Sequence, residues 1–218
     1  MSAVREVITL DGPAASGKSS VARRVAERLQ VPFVSSGLLY RAATWLASDA
    51  DASPDDEDGL VALLRRHDVR LEPDRDGNRI VIDGREVTPE LHTDRIDDGV
   101  SAVASRPRVR AWVNERLREI EGPFVIDGRD MGRDVFPDAA LKVYLTADPE
   151  VRAARRVGER AADLSAIADA IRRRDALDAR QSVPADDAVT IDTSPLSLDE
   201  VVGRVLELVD ARRIGASS

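Results

Sequence analysis

The 218-residue chain contains no cysteine and only two histidines, His67 and His92. Disulfides, zinc–thiolate sites and thiol nucleophiles are therefore excluded, and two histidines are too few for a histidine metal centre. Aromatic residues make up only 3% of the sequence, so stacking of nucleic-acid bases on aromatic side chains is not expected to dominate recognition. No apolar run approaches the roughly 20 residues of a membrane span, and the N-terminus shows no signal-peptide hydrophobic region. From these absences we expect a cytoplasmic protein.

Positive charge is also scarce, since 32 basic residues face 40 acidic ones and the formal net charge is -8. A nucleic-acid polymer is disfavoured as the main partner because such a partner needs a basic face. A local arginine cluster can still hold an acidic mononucleotide. Only two of the basic residues are lysines, Lys18 and Lys142. In a chain that otherwise uses arginine, Lys18 indicates a position that requires a compact point charge.

Lys18 lies in GPAASGKS, residues 12–19, which matches the eight-residue phosphate-loop pattern in full. The apolar run EVITLD precedes this loop, and Val21, Val25 and Leu29 follow at helical spacing, so the context is strand, loop and helix. Backbone N–H groups of such a loop converge on phosphate oxygens, Lys18 can reach the outer phosphates, and Ser19 can ligate Mg²⁺. The sequence therefore predicts a nucleoside triphosphate site formed by Gly12, Pro13, Ala14, Ala15, Ser16, Gly17, Lys18, Ser19 and Ser20.

Strands and helices are predicted to alternate along most of the chain, which is typical of a parallel sheet with helices on both faces. The predicted strands are 6–11, 32–36, 124–128, 141–147 and 188–194. Predicted helices follow the loop, open at residue 37, and cover 107–120, 148–158, 164–180 and 197–212. The stretch 49–100 breaks this rhythm, since residues 69–88 alternate apolar and polar around Asp76-Gly77-Asn78. That pattern predicts a hairpin with a third short strand, inserted into the α/β core.

Polar side chains follow two of the predicted strands, where ligands bind in open α/β sheets. After the second strand, Ser36 and Gly37 precede Arg41, which could reach a second phosphate. After the strand 124–128, Arg129 can hold a phosphate through two hydrogen bonds and Asp130 can accept hydrogen bonds from a base amine. The alternative is a helix cap with a solvated arginine in the first case and a surface turn in the second.

Two arginine groups follow later in the chain. Arg152, Arg155 and Arg156 fall on one predicted helix, where they would suit a lid that closes over transferring phosphates. Arg174 and Asp178 are one helical turn apart, a spacing suited to binding a sugar hydroxyl and a phosphate. Solvated helix faces and ordinary ion pairs are the alternatives, because such pairs are frequent on helices.

Several other nucleotide-binding classes lack support in the sequence. A guanine-specific switch carries an Asn-Lys-x-Asp base reader, yet the only later lysine is Lys142, within LKVY. The signature loop of transporter ATPases is absent, and the chain is too short and too acidic for a helicase core.

The segments SSGLLYR, SAVASRPRVR, DGRDMGRDVFPDA and RRRDALD, together with the phosphate loop, resemble the bacterial cytidylate kinases of the nucleoside monophosphate kinase family. The resemblance covers nearly the whole chain. It implies one kinase domain over 1–218, with a five-stranded parallel sheet flanked by helices. It also implies a nucleoside-monophosphate-binding insert over about 38–107, containing a small antiparallel sheet, and a short lid over about 150–163.

The resemblance also implies roles for individual residues. Ser101, Arg110 and Asp130 would read cytosine, Arg41 and Arg129 would bind the monophosphate, and Ser36, Arg174 and Asp178 would lie near the sugar. The implied CMP-binding set is completed by Gly37, Asp127 and Arg180, and the implied catalytic set is Lys18, Arg129, Arg152, Arg155 and Arg156. The sequence departs from the family pattern at Ser35, where an aspartate is usual, and at Gln181, where an arginine is usual. Arg180 beside Gln181 could take over that contact.

The resemblance thus implies ATP-dependent phosphorylation of CMP and dCMP with Mg²⁺, by a monomer that needs no membrane or nucleic-acid partner. Two alternatives are a kinase for another small acceptor (UMP, AMP or a hydroxy acid) and a nucleotide-binding regulatory ATPase.

Overall fold

The computed structural model describes residues 6–74, 77–159, 175 and 181–216, with backbone alone at 156–159 and 213–216. Apart from Asp175, the predicted helix over 164–180 lies outside the described residues. Within the described ranges, no helix is both long enough and apolar enough to span a membrane.

The elements follow the predicted order. The strands are β1 (Val7–Asp11), β2 (Phe33–Ser35), β3 (Val69–Asp74), β4 (Gly77–Ile82), β5 (Arg85–Glu86), β6 (Phe124–Gly128), β7 (Leu141–Thr146) and β8 (Val189–Asp192). The α-helices are α1 (Lys18–Leu29), α2 (Gly37–Asp49), α3 (Glu57–Arg66), α4 (Asp94–Ala104), α5 (Pro107–Arg118), α6 (Pro149–Glu159) and α7 (Leu198–Ala216). A 3₁₀ turn covers Thr88–Leu91, and a π-helical turn covers Met131–Val135.

Five strands form one sheet in the order β2-β6-β1-β7-β8, which confirms the predicted α/β fold class. β1 lies at its centre and pairs in parallel with β6, from Val7 opposite Phe124 to Asp11 opposite Gly128. On its other side β1 pairs in parallel with β7, and β7 pairs in parallel with β8. The loops that follow β1 and β6 therefore begin side by side at one edge of the sheet.

The chain divides into two compact units, of which the first comprises Met1–Phe33 and Gly122–Ser218. Its core is formed by apolar faces of the sheet and of two helices. The core face of α1 includes Val21 and Val25, spaced four residues apart as the sequence pattern predicts. α7 contributes Val201, Val205 and Val209 at helical spacing, and all three are buried.

The second unit spans Val34–Glu121 and contains α2 to α5 with the three-stranded antiparallel sheet β3-β4-β5. It extends beyond the predicted 38–107 because α5 packs against α3 and α4. The predicted hairpin is present, but its second strand begins earlier than predicted. Gly77 and Asn78 already lie in β4, opposite Asp74 and Pro73.

The connection between β4 and β5 is formed by Asp83 and Gly84. Both residues have positive φ, 51° and 80°, as a type I′ hairpin turn requires. The Asp83-Gly84 pair in the sequence is the signal for this turn, and the predicted hairpin did not include it.

Candidate active site

The phosphate loop joins the central strand β1 to α1. Gly12 begins the loop with φ 152°, and a Cβ built there would lie 2.3 Å from the carbonyl oxygen of Leu145. Gly17 closes the loop as the N-cap of α1, with the left-handed φ of 88°. The loop backbone therefore passes close to β7 and turns into the helix in ways that only glycine accepts without strain.

A cavity of about 580 Å³ opens over this loop. Lys18 lines it, and its Nζ donates a hydrogen bond to the Pro13 carbonyl oxygen at 3.1 Å, which holds the ammonium over the loop. The lining residues are Ala14, Ala15, Ser16, Gly17, Lys18, Ser19, Ser20, Val21, Arg129, Arg155, Thr193, Leu196, Leu198 and Val201. A cavity with one lysine, two arginines and a helix N-terminus suits a polyphosphate.

Ser19 and Asp127 form a pair at the start of α1. The Ser19 hydroxyl donates a hydrogen bond to Oδ2 of Asp127, although 108 positions separate the two residues. Asp127 is only 4% exposed, and its Oδ1 has no hydrogen-bond partner within the described part of the chain. A hydroxyl beside a carboxylate with an unsatisfied oxygen fits a hydrated Mg²⁺, since P-loop enzymes hold this ion with these two residue types. Asp127 was predicted only as a CMP-binding residue; an aspartate at the end of a predicted apolar strand is the part of the signal for a metal-site role that the sequence carries.

Asp11, the last residue of β1, is a further buried acid and was not among the predicted site residues. Its Oδ1 accepts the N–H of Met131 and its Oδ2 accepts the N–H of Gly132, each at 2.8 Å. Burial raises the pKa of this carboxyl to about 6, against the opposing effect of these two hydrogen bonds. The contact joins the strand of the phosphate loop to the turn that directly follows Arg129 and Asp130.

Arg129 and Arg155 both line the cavity and both bind backbone near the loop. Arg129 donates to the carbonyl oxygen of Gly12 at 2.8 Å. Arg155 donates to the carbonyl oxygen of Thr193 at 2.7 Å and to its hydroxyl at 2.9 Å. Thr193, which follows β8, thus orients a predicted catalytic arginine, and the sequence pattern gave no signal for this role.

Arg152 differs from these two arginines, because it is only 6% exposed and is not among the cavity-lining residues. It donates to the carbonyl oxygens of Ala14 and Ala147, each at 3.1 Å, and pairs with Asp175 at 2.7 Å. In this structure Arg152 therefore supports the phosphate loop from behind. The side chain of Arg156 and the residues Arg174, Asp178 and Arg180 lie outside the described residues, so their predicted roles stay predictions.

Five of the predicted CMP-binding residues belong to the second unit. Ser36 is buried at the N-cap position of α2, and Gly37 is the first residue of that helix. Ser101 lies on α4. The guanidinium of Arg110 lies 5.4 Å from the ring centroid of Tyr40, close enough for a cation–π contact.

Arg41, also in the second unit, donates to the Leu91 carbonyl oxygen at 2.8 Å and forms an ion pair with Asp97. Ser35, at the position where the family usually has an aspartate, has its N–H bound by the side-chain oxygen of Asn78 at 2.9 Å. The carboxylate that holds Arg41 belongs to Asp97, which was not among the predicted site residues.

Comparison with known proteins identifies the group to which this arrangement belongs. The sequence model of the family described as cytidylate kinase matches residues 8–211. A protein named cytidylate kinase from Thermus thermophilus is 57% identical over 203 residues, covering 93% of this chain and 98% of its own. This chain belongs to the cytidylate kinase family. A cytidylate kinase from Bacillus subtilis is 38% identical over 216 residues, covering 94% of this chain and 96% of its own.

Two solved structures share the fold of this chain at low sequence identity. An uncharacterized protein from Eubacterium ventriosum gives a TM-score of 0.54 at 13% identity, over 94% of this chain and 99% of that one. A shikimate kinase from Acinetobacter baumannii, in complex with shikimate, gives 0.50 at 15% identity, over 95% and 94%. The family and the P-loop kinase fold predicted from the sequence are thereby confirmed.

Proposed function

We propose that this cytidylate kinase family member transfers the γ-phosphoryl group of ATP to CMP and dCMP, giving ADP and the nucleoside diphosphate. One observation carries the proposal. β6, the strand that delivers Asp127 to Ser19 of the phosphate loop, runs directly into Arg129 and Asp130. Asp127, which contacts the loop that binds the donor, therefore lies at the same edge of the sheet as two residues suited to the acceptor. Arg129 suits its monophosphate, and Asp130 suits the amine of its base.

On the donor side, the loop amides and Lys18 bind the phosphates of ATP in the cavity over α1. Ser19 and Asp127 would hold Mg²⁺, which, when bound, neutralises phosphate charge. Arg152 fixes the loop from behind through the Ala14 carbonyl. Because this support is buried, ATP meets a loop whose shape is already set.

The transfer itself requires no protein nucleophile. An oxygen of the acceptor α-phosphate forms the new bond to the γ-phosphorus, and the bond from that phosphorus to the bridging oxygen breaks, leaving its electron pair on ADP. Lys18 and Arg129 stabilise the negative charge on the transferring group and hold the two phosphates in line. We assign the acceptor phosphate to Arg129, and by the family resemblance also to Arg41.

Base selection is assigned to Asp130, which is 3% exposed and follows Arg129 directly. An ionised carboxylate accepts a hydrogen bond from the 4-amine of cytosine, whereas uracil presents a carbonyl oxygen at the same place. A buried polar group left unpaired costs about 1–3 kcal/mol, so UMP should be disfavoured roughly 10- to 100-fold in kcat/KM.

The test is ADP formation from Mg²⁺-ATP with a panel of acceptors: CMP, dCMP, UMP, AMP and shikimate as the hydroxy acid. CMP and dCMP should stimulate ADP formation well beyond the others. Stronger stimulation by a different acceptor would identify a kinase of another specificity. Equal rates with and without any acceptor would refute the proposal in favour of an ATPase.

Arg129→Ala should lower kcat/KM for CMP at least about tenfold, because one charge-assisted contact to the phosphate is lost. Arg204→Ala, on the exposed side of α7, is the matched control and should change the value less than about twofold. If Arg129→Ala keeps the wild-type kcat/KM, Arg129 does not bind the acceptor.

A further inference from the structure

Asp11 is a buried acid for which phosphoryl transfer has no direct use. It is 6% exposed and ends the central strand, one residue before the phosphate loop. Both of its carboxylate oxygens are engaged by backbone of a different segment, the N–H groups of Met131 and Gly132. A carboxylate whose two oxygens accept hydrogen bonds from two consecutive backbone N–H groups fixes the position of that backbone.

The backbone held in this way is the first part of the π-helical turn Met131–Val135. The first N–H groups of a helical turn have no partner inside the turn and must be satisfied from outside. Within the turn, the N–H of Phe136 donates to the Met131 carbonyl oxygen at 2.7 Å. Asp11 therefore acts as a remote cap for this turn, with negative charge at the end where helix dipoles favour it.

The turn held by Asp11 also packs closely against the side chains of Thr9 and Lys142, which restricts its position. A Cβ built on Gly132 would lie 2.7 Å from Oγ1 of Thr9 and 3.1 Å from the side chain of Lys142. Asp130, assigned above to the cytosine amine, precedes Met131 directly, and its carbonyl oxygen accepts the N–H of Asp134 at 2.8 Å. The position of Asp130 therefore depends on the turn that Asp11 caps.

We propose that Asp11 is a positioning residue for base selection, which holds Asp130 in place by binding the amides of Met131 and Gly132. The inference rests on the proposed function, since it assigns Asp130 to the cytosine base. It also couples the phosphate loop to base selection, because β1, the strand that leads into the loop, also fixes the position of Asp130.

The charges around Asp11 agree with a carboxylate that is ionised at neutral pH. Burial, and to a smaller extent Asp130, raises the pKa of Asp11, whereas the two amides and Lys18 lower it, and the resulting value of about 6 leaves Asp11 ionised at pH 7.5. Arg133 and Tyr144 are further titratable groups that feel its charge.

The test compares kcat/KM for CMP with kcat/KM for UMP in the wild type, in Asp11→Asn and in Thr9→Val, at pH 7.5. An asparagine keeps the shape but can accept only one of the two N–H groups. We expect Asp11→Asn to reduce the CMP-to-UMP ratio about tenfold while the KM for ATP stays within about twofold. Thr9→Val is the matched control, because Thr9 is fully buried on the same strand beside the same turn, and its ratio should stay unchanged.

A CMP-to-UMP ratio that survives in Asp11→Asn overturns the inference, as does an equal loss of the ratio in Thr9→Val. A wild type without a preference for CMP refutes the proposed function first and the inference with it. If Asp11→Asn fails to fold, Gly132→Ala tests the same turn, because its Cβ must displace the turn from Thr9. An unchanged ratio in folded Gly132→Ala then overturns the inference.

Discussion

Replacing Gly12 with alanine should destabilise the protein through one identifiable contact. The added Cβ would lie 2.3 Å from the carbonyl oxygen of Leu145, where an ordinary carbon–oxygen contact needs roughly 3.3 Å. β1 and β7 would have to separate by about 1 Å at their ends. Overpacking of this kind costs about 1–3 kcal/mol, and the φ of 152° adds strain of about 1 kcal/mol.

The total of about 2–4 kcal/mol should lower Tm by roughly 5–15 °C in a chain of this length. The matched control is Gly203→Ala on α7, where a Cβ would meet nothing within 4 Å. There alanine removes the entropic cost of a helical glycine, about 0.5–1 kcal/mol, so Tm should rise by a few degrees.

Thermal unfolding followed by circular dichroism, without ligands and at one protein concentration, measures both shifts. Gly12→Ala should also raise the KM for CMP, because the Gly12 carbonyl that orients Arg129 moves with the strand. A Tm for Gly12→Ala equal to or above that of the wild type would show that the approach of loop and β7 is not tight, and the reasoning would fail.

Two further predictions concern carboxylates. Asp97→Ala should raise the KM for CMP about 3- to 10-fold without changing the KM for ATP, because it releases the Arg41 guanidinium; unchanged kinetics would remove Asp97 as its positioning partner. Asp11 has a pKa of about 6 in the folded state against 3.8 ordinarily, so its contribution to stability is present below about pH 4 and is lost as pH rises to about 6. Between about pH 4 and pH 6, the free energy of unfolding measured in urea should therefore fall by about 3 kcal/mol more in the wild type than in Asp11→Asn. If the free energy of unfolding depends on pH in the same way in both proteins, the raised pKa of Asp11 is contradicted.

Much of the fold could be predicted because its signals are local. The phosphate loop is a contiguous pattern of eight residues, and the apolar positions of α1 and α7 repeat at helical spacing. The central strands β1 and β6 are short, largely apolar runs that are buried along their whole length, as strands covered on both faces are. Each signal is complete within about a dozen residues, so no knowledge of the rest of the chain was needed.

The contacts that complete the site are not local. Ser19 meets Asp127 across 108 positions, and Asp11 meets Gly132 across 121. These pairs depend on β1 and β6 being neighbours in the sheet, which alternation of strands and helices does not specify. The roles of Thr193 and Asp97 were missed for the same reason, since each acts on an arginine from a distant segment.

The two acids that end β1 and β6 show how environment separates the roles of identical side chains. Asp127 faces the Ser19 hydroxyl and keeps one buried oxygen without a hydrogen-bond partner among the described residues, an arrangement that suits a cation. Asp11 has an amide bound at each of its two oxygens, an arrangement that suits a fixed support of the backbone. The role of each aspartate is therefore set by its partners, which are a hydroxyl for Asp127 and two backbone amides for Asp11. Loss of Asp127 should therefore impair catalysis with either pyrimidine acceptor, whereas loss of Asp11 should act chiefly on the choice between them.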